Sequence, residues 1–277
     1  ISLMGTSAWL ISTAALHPSL STLQVAIVGV RLFGILRGVA RYLERLVSHN
    51  VTFKVLSRLR VWFYKSLVPL APARLLNYRS GDLLSRIISD IKSLEDFYIR
   101  STAPPLVALL IGLGTSFFLG RYHPQFRILL GVFFILSGIL LPLLIRRIAR
   151  EPGNKMVLER SFLAAGLVNF IQGLPELMAN GQAENKQNQL LVIDQKYRNA
   201  QIKTARISGL NAGLMILFSN LAMWLILITA IPLIQTGEIP GVMLAALALI
   251  TLSSFEAVLP LPQAMETLAS SLKAGSR

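Results

Sequence analysis

Apolar residues fall in six runs, roughly 1–16, 20–42, 102–119, 126–145, 210–234 and 242–261, and the polar stretches between them are of two kinds. Three gaps are short and carry turn residues: His17-Pro18-Ser19, Arg121-Tyr122-His123-Pro124 and Thr236-Gly237-Glu238-Ile239-Pro240. The other two gaps are about sixty residues each, far longer than ordinary loops, and they keep a helical period. No proline or glycine follows Gly38 until Pro69, and Leu43, Leu46, Val47, Phe53, Leu56, Leu59, Phe63 and Leu67 recur at three- and four-residue spacing. The second run is therefore predicted to continue as one helix from Leu20 to Leu67, about 70 Å long at about 1.5 Å per residue. Pro69 and Pro72 end it. The return begins at Arg79-Ser80-Gly81-Asp82, with Ser80 as N-cap and Asp82 favoured in the first turn by the helix dipole. The plan repeats over 146–169, with a break at Gly173-Leu174-Pro175 and a return over 183–208.

Runs of this length and polarity belong in a bilayer. Hydrophobic residues make up 53% of the chain and the mean hydropathy is +0.60, too apolar for a water-soluble domain of this size. The expected fold is all-α: a polytopic membrane protein with six transmembrane helices and two long cytoplasmic helical hairpins. The first run is short for a span and lacks the basic start and cleavage site of a signal peptide, so it reads as the second half of a transmembrane helix. Gly112, Gly114, Gly131 and Gly138 offer small faces for close helix approach. Pro104-Pro105, Pro142 and Pro260/Pro262 are candidate bends.

Charge and composition then narrow the chemistry. There is no cysteine, which excludes disulfides, thiolate metal sites and a redox dithiol in this chain. The net charge is +14, and 21 of the 27 Lys and Arg lie within 41–100 and 146–206, while 16–23 and 235–240 carry none. This asymmetry places both polar blocks in the cytoplasm. The basic residues are spread over helices with no Gly-aromatic recognition motif, which argues against nucleic acid as a partner. The 13 acids form no pair with hydrolytic spacing, and no Gly-x-x-x-x-Gly-Lys-Ser/Thr run occurs, so no catalytic residue and no ATP site can be placed here.

One stripe stands out. Arg37, Arg41, Arg45 and His49 recur every four residues where the second run leaves the membrane, with Arg31 deeper. Cations at that depth are costly unless an anion or a cavity meets them. Arginine suits carboxylates, because its fork presents two parallel donors. Haem offers two propionates and an iron that accepts imidazole, so Arg41 or Arg45 with His49 as axial metal ligand is chemically coherent. Glutathione and cysteine would use the arginines alone. The competing reading pairs Arg45 with Glu44 or lipid phosphate and leaves His49 a surface residue. Arg31 either lines a path or pairs with Glu256. His17 and His123, each before a proline, read as turn residues.

The chain resembles a known family. Arg79-Ser-Gly-Asp-Leu-Leu-Ser-Arg-Ile-Ile-Ser-Asp90 looks like the element after the first coupling helix of exporter-type (type 1) ABC transporters, and Gly173-Leu-Pro-Glu-Leu-Met-Ala-Asn-Gly-Gln-Ala-Glu184 resembles their second coupling region. Residues 260–277 are similar to the sixth-helix end that leads into their ATPase domain. A narrower resemblance, to the CydC subunits of the bacterial CydDC thiol/haem exporters, rests on Ala40-Arg-Tyr-Leu-Glu-Arg-Leu-Val-Ser-His-Asn-Val-Thr-Phe53, Leu59-Arg-Val-Trp-Phe-Tyr64 and Ser7-Ala-Trp-Leu-Ile-Ser12. It implies that 1–277 is a transmembrane domain of the bacterial inner membrane and that a nucleotide-binding domain holding ATP and Mg is expected after 277. A CydD-like half-transporter would complete a heterodimer needed for cytochrome bd assembly, and the cargo would be cysteine, glutathione or haem b. Arg45 and His49 match positions associated with haem. Coupling to the ATPase domain would fall to Ala71, Pro72, Ala73, Arg74, Leu75 and Asn77 at one hairpin tip and Gly173, Glu176 and Asn180 at the other. Two other readings stay open: a generic lipid or drug exporter, expected to show a broad apolar cavity, and a non-transporting membrane scaffold or haem sensor.

Overall fold

The computed structural model describes residues 1–70, 101–265, 267 and 268. Among them every regular element is helical: α1 (Ser2–Ala14), α2 (Leu20–Leu67), α3 (Ala103–Gly120), α4 (Pro124–Ile135), α5 (Leu141–Gln172), α6 (Leu174–Ala179), α7 (Ala183–Gln235) and α8 (Met243–Ser254). The second run does form a single helix, with a 3-10 turn, Val68–Leu70, where Pro69 removes a backbone donor. The second hairpin also follows the pattern, with α5 ending at Gln172 and the short α6 preceding α7. The tip residues 71–80 and the return with Ser80 and Asp82 lie outside the described residues.

Five helical runs are long and apolar enough to cross a bilayer: Leu20–Ser66, Ala103–Gly120, Pro124–Gln172, Ala183–Gln235 and Met243–Met265. With 13 residues, α1 reaches only about 20 Å, short of a hydrocarbon core of about 30 Å. Five helices therefore have the dimensions of a full span among the described residues, beside the shorter α1. Their outer faces are apolar and exposed, as at Leu20, Val25, Leu110 and Leu113, which suits contact with lipid tails.

Local chemistry sets the helix ends. His123 is the N-cap of α4, its Nδ1 accepting the Gln125 N–H at 3.3 Å, with Pro124 in the first turn. The turn role expected of this histidine is thus the one it plays. His17 adopts φ 54°, and Gly237 adopts φ 81° in the turn before α8. Pro104 and Pro105 occupy the first turn of α3. Ser101 and Thr102 directly before them are π-helical, so the helical path runs into these prolines from 101. Pro142 stands directly after a π-helical turn, Leu136–Leu140, inside the continuous helical run Pro124–Gln172, a setting that bends helices. Pro152 in α5 and Pro232 in α7 also lie inside helices.

The chain divides into two compact units, Ile1–Gly138 with Phe218–Arg277, and Ile139–Leu217. In the first, α8 packs against α1 and α3, α1 against α2, and α3 against α4. Leu119, Phe126, Leu130, Ile226, Leu247 and Val258 are fully buried there, and the Phe134 and Phe255 rings meet at 4.9 Å. Several buried hydroxyls are satisfied by their own helices: Thr115 Oγ1 donates to the Ile111 carbonyl at 2.6 Å, Ser137 Oγ to Phe133 at 2.6 Å and Thr251 Oγ1 to Leu247 at 2.7 Å. An apolar medium offers these groups no water, so the backbone supplies the acceptor. Ser101 Oγ instead donates to the distant Ala264 carbonyl at 3.2 Å, tying the start of α3 to the last helical segment.

Only part of the glycine pattern works as expected. A Cβ on Gly112 would lie 2.8 Å from Phe134 Cδ1, and one on Gly138 would lie 3.3 Å from Leu261 Cδ1, so both accommodate neighbours. Gly114 and Gly131 face open space. Gly5, not singled out in the sequence, makes the closest approach of α1 to α8: a Cβ there would meet Ile250 at 2.7 Å.

The second unit is a helical hairpin. Gly166 of α5 lets Leu190 of α7 approach, with a Cβ position 2.6 Å from Leu190 Cδ2. Exposed ion pairs run along the helices, Lys155–Glu151 at 2.7 Å and Arg198–Asp194 at 2.8 Å. Both lie open to solvent and so contribute little to stability.

Candidate functional site

The cationic stripe lies on α2, and helix geometry divides it. Each four-residue step turns the side chain by about 40°, so His49 points about 120° away from Arg37. Arg37 and Arg41 border a space of about 350 Å³ beside Ile1, Ser2, Leu3 and Met4, where α1 begins, with Phe33, Leu36, Ser253 and Glu256 also around it. Arg45 and His49 are exposed and do not line it. His49 stacks on Phe53, ring centroids 6.0 Å apart and 26° from parallel, and no hydrogen bond engages it among the described residues. Arg45 forms no ion pair with Glu44 among the described residues.

Arg31 lies eighteen residues, about five full turns, before His49, so it shares the face of His49 and not that of Arg37. It does not line the cleft with Glu256 and forms no ion pair with it among the described residues. The acid of the last helix thus faces Arg37 and Arg41, and Arg31 is the arginine left apart.

Depth follows from helix rise. Arg37 is about 26 Å along α2 from Leu20, and His49 about 44 Å, against a hydrocarbon core of about 30 Å. With Leu20 at the outer boundary, Arg37 and Arg41 come to the inner boundary of the core and His49 lies beyond it. Glu256, about 20 Å along from Met243, comes to a similar level. It is held in a 3-10 turn, Phe255–Ala257, anchored by the buried Phe255. Ser253 and Glu256 were missed as partners of the arginines. The signal in the sequence is the polar content of Thr251-Leu-Ser-Ser-Phe-Glu256 inside an otherwise apolar segment.

A second, larger cleft of about 530 Å³ lies towards the outer side, lined largely by apolar groups, among them Trp9, Phe33, Gly114, Phe118 and Ile250. Phe33 borders both clefts.

The predicted coupling residues of the second tip fall on one compact turn. The Gly173 carbonyl accepts the Leu177 N–H at 2.9 Å, Glu176 lies in the first turn of α6, and Asn180 Nδ2 donates to the Glu176 carbonyl at 3.0 Å. Gly181 closes the turn at φ 67°. Glu176, Met178 and Asn180 are exposed. Ala71, Pro72, Ala73, Arg74, Leu75 and Asn77 lie outside the described residues. No group of three or more metal-ligating side chains occurs among the described residues.

Residues 5–256 match the ABC transporter transmembrane region, and the chain belongs to that family. It is 31% identical over 240 residues to the glutathione/L-cysteine transport system ATP-binding/permease protein CydC of Escherichia coli (strain K12), covering 87% of this chain and 42% of that protein. Identity is 27% over 249 residues to the CydC protein of Haemophilus influenzae, covering 90% and 43% respectively. It is 31% over 272 residues to the CydD protein of the same transport system in Bacillus subtilis (strain 168), covering 95% and 46%. The chain thus spans less than half the length of these relatives. Its all-α fold and its place as a multi-pass protein of the bacterial inner membrane agree with the sequence reading, and so does its similarity to CydC.

Proposed function

We propose that this chain is the membrane-spanning part of an ATP-driven exporter that moves a low-molecular-weight thiol, glutathione or cysteine, across the bacterial inner membrane. One observation carries the reading: Arg37 and Arg41 stand about one turn apart on α2, in a chain whose relatives are named for glutathione/L-cysteine transport. Guanidinium groups there supply paired donors to a carboxylate entering from the cytoplasm. A nucleotide-binding domain of the full protein would hold ATP and Mg, and a CydD-like half-transporter would complete the pathway, which the helices of one chain do not enclose. The α6 tip and residues 71–80 would pass motion between the ATPase domains and the membrane helices.

The test is ATP-dependent glutathione uptake into inside-out vesicles carrying the full-length protein with its partner. Arg37→Gln combined with Arg41→Gln is expected to lower uptake at least tenfold, since two charge-assisted contacts are lost. Wild-type rates in that variant would reject the arginine site.

Haem b is the second cargo or ligand, linking the transporter to cytochrome bd assembly, and it draws on the other side of the stripe. His49 is exposed with no hydrogen-bond partner among the described residues, and Arg45 is one turn away, about 6 Å along the axis. His49→Ala is then expected to shift or abolish the Soret band of the purified complex, and Arg45→Ala to weaken haem retention with less spectral change. An unaltered spectrum in His49→Ala removes the axial-ligand role. The apolar cleft beside Trp9 and Phe118 favours a third reading, a general lipid or drug exporter. That reading expects transport of apolar cations to survive loss of both arginines. A full-length complex that moves none of these solutes would be a scaffold or haem sensor instead.

A further inference from the structure

Arg31 is the one arginine of α2 at mid-membrane depth. It lies about 17 Å along the helix from Leu20, near the middle of a hydrocarbon core of about 30 Å. It is exposed and forms no ion pair among the described residues. Phe33, which borders the spaces beside α1, points about 160° away from it, so Arg31 looks away from α1. Its face carries more than one polar group. Gln24, Arg31, Gly38 and Arg45 recur every seven residues, and Tyr42 and His49 fall within about 20° of Arg31. All six are exposed, and a Cβ on Gly38 would meet nothing within 4 Å. Ile35 borders this seam at about 40°, while the exposed Val25, Leu32, Leu36 and Val39 lie about 80–140° from Arg31. Lipid tails offer a guanidinium nothing, and Arg31 is too far from either boundary to snorkel. An ion pair with another chain would account for Arg31 alone. A watery groove accounts for Gln24, Gly38 and Tyr42 as well.

We propose that this seam of α2 is a wall of the translocation path, and that Arg31 is a mid-membrane residue that binds the carboxylate of the passing amino acid or short peptide. The inference rests on the thiol-export reading and adds a second station to it. Arg41 lies about 15 Å further along the axis towards the cytoplasm. The two cations therefore meet the anion in turn, and neither holds it so tightly that it cannot leave. Gly38 keeps the wall clear of side chain between them. Without Arg31 a carboxylate would cross the middle of the membrane with no opposite charge to replace its water.

The test uses inside-out vesicles carrying the full-length protein and its partner, with the unsubstituted complex as background. The chain has no cysteine of its own. Gln24→Cys and Gly38→Cys are expected to react with water-soluble methanethiosulfonates, and Val25→Cys, turned towards lipid, is not. Adding Arg31→Gln to Gly38→Cys should lower the ratio of anionic to cationic reagent rates about fourfold, the scale of one unit charge about 10 Å away in water. In ATP-dependent glutathione uptake, Arg31→Gln should lower kcat about tenfold with KM little changed, because the contact is made after entry. Arg31→Lys, which keeps the charge, should restore most of the rate. Seam cysteines as unreactive as Val25→Cys would place the seam against lipid or protein and overturn the inference. Reactive cysteines whose rate ratio ignores Arg31→Gln would overturn it too, and would assign Arg31 to an acid of the partner. Labelling needs no cargo, so the two readings fail separately. A wild type that moves no glutathione rejects thiol export, while charge-dependent labelling of the seam would still support an anion path.

Discussion

Gly112 and Gly131 sit in neighbouring membrane helices and look equivalent as letters in an apolar run, yet their surroundings differ. A methyl group on Gly112 would lie 2.8 Å from Phe134, whereas one on Gly131 would meet nothing within 4 Å. Gly112→Ala is expected to destabilise the α3–α4 pair by about 1–3 kcal/mol, the usual cost of forcing a side chain into a packed contact. Gly131→Ala should be near neutral or slightly stabilising, since alanine is the better helix former. Thermal unfolding of the detergent-solubilised full-length protein checks the pair, and equal midpoints for the two variants would contradict the packing. The arginines carry the same lesson. Arg31, Arg37, Arg41 and Arg45 are alike in type, and only the turn of the helix decides that Arg37 and Arg41 reach the Glu256 cleft. Four-residue spacing marked a stripe, but the stripe winds by about 40° per step and cannot stay on one neighbour.

The α6 tip is where helix chemistry meets coupling. Six residues are too few to be stable as an isolated helix, so α6 is held by its ends: the Gly173 carbonyl, the Asn180 side chain on Glu176 and the left-handed turn at Gly181. Gly181→Val would force a β-branched residue into φ 67°, a strain of about 1–2 kcal/mol. The expected result is a complex that still hydrolyses ATP but transports poorly, measured as the ratio of transport to hydrolysis. Wild-type coupling in that variant would show that the tip geometry does not matter to the motor contact. Substituting several residues within 71–80 should uncouple in the same way without preventing assembly. The extent of this element was legible in the sequence because Gly173, Pro175 and Gly181 are strong local punctuation.

Across the whole molecule, the arrangement predicts sidedness. The turns at 17–19, 121–123 and 236–240 carry few basic residues and belong outside, while the α6 tip and residues 71–80 belong to the cytoplasm. The chain contains no cysteine, so single cysteines report position without background from it. Ser19→Cys and Thr236→Cys should react with a membrane-impermeant maleimide in intact spheroplasts, and Asn180→Cys and Asn77→Cys only after the inner membrane is opened. Labelling of Asn180→Cys and Asn77→Cys from opposite sides would reject the two-hairpin plan. Helix content should stay constant in Ser19→Cys, Asn180→Cys and Thr236→Cys, since these side chains are exposed.

The sequence by itself determined the helices and their limits. Apolar runs, the uninterrupted period from Val39 to Leu67, and the proline and glycine breaks act over a few residues, and backbone hydrogen bonding in a bilayer leaves little choice but helix. It also pointed to the α2 stripe, because charge in an apolar chain is visible without coordinates. Only the tertiary structure decided what the stripe faces. Glu256 is more than two hundred residues from Arg37 in the chain, and no local rule fixes the rotation of α8 about its axis. That rotation is set by packing: Gly5 against Ile250, Phe134 against Phe255 and Ser101 against the Ala264 carbonyl. The same packing left Gly114 and Gly131 facing open space and set Glu256 near Arg37 and Arg41 instead of Arg31. Residue type gave the charges, and the close approach of distant helices gave them a common cleft.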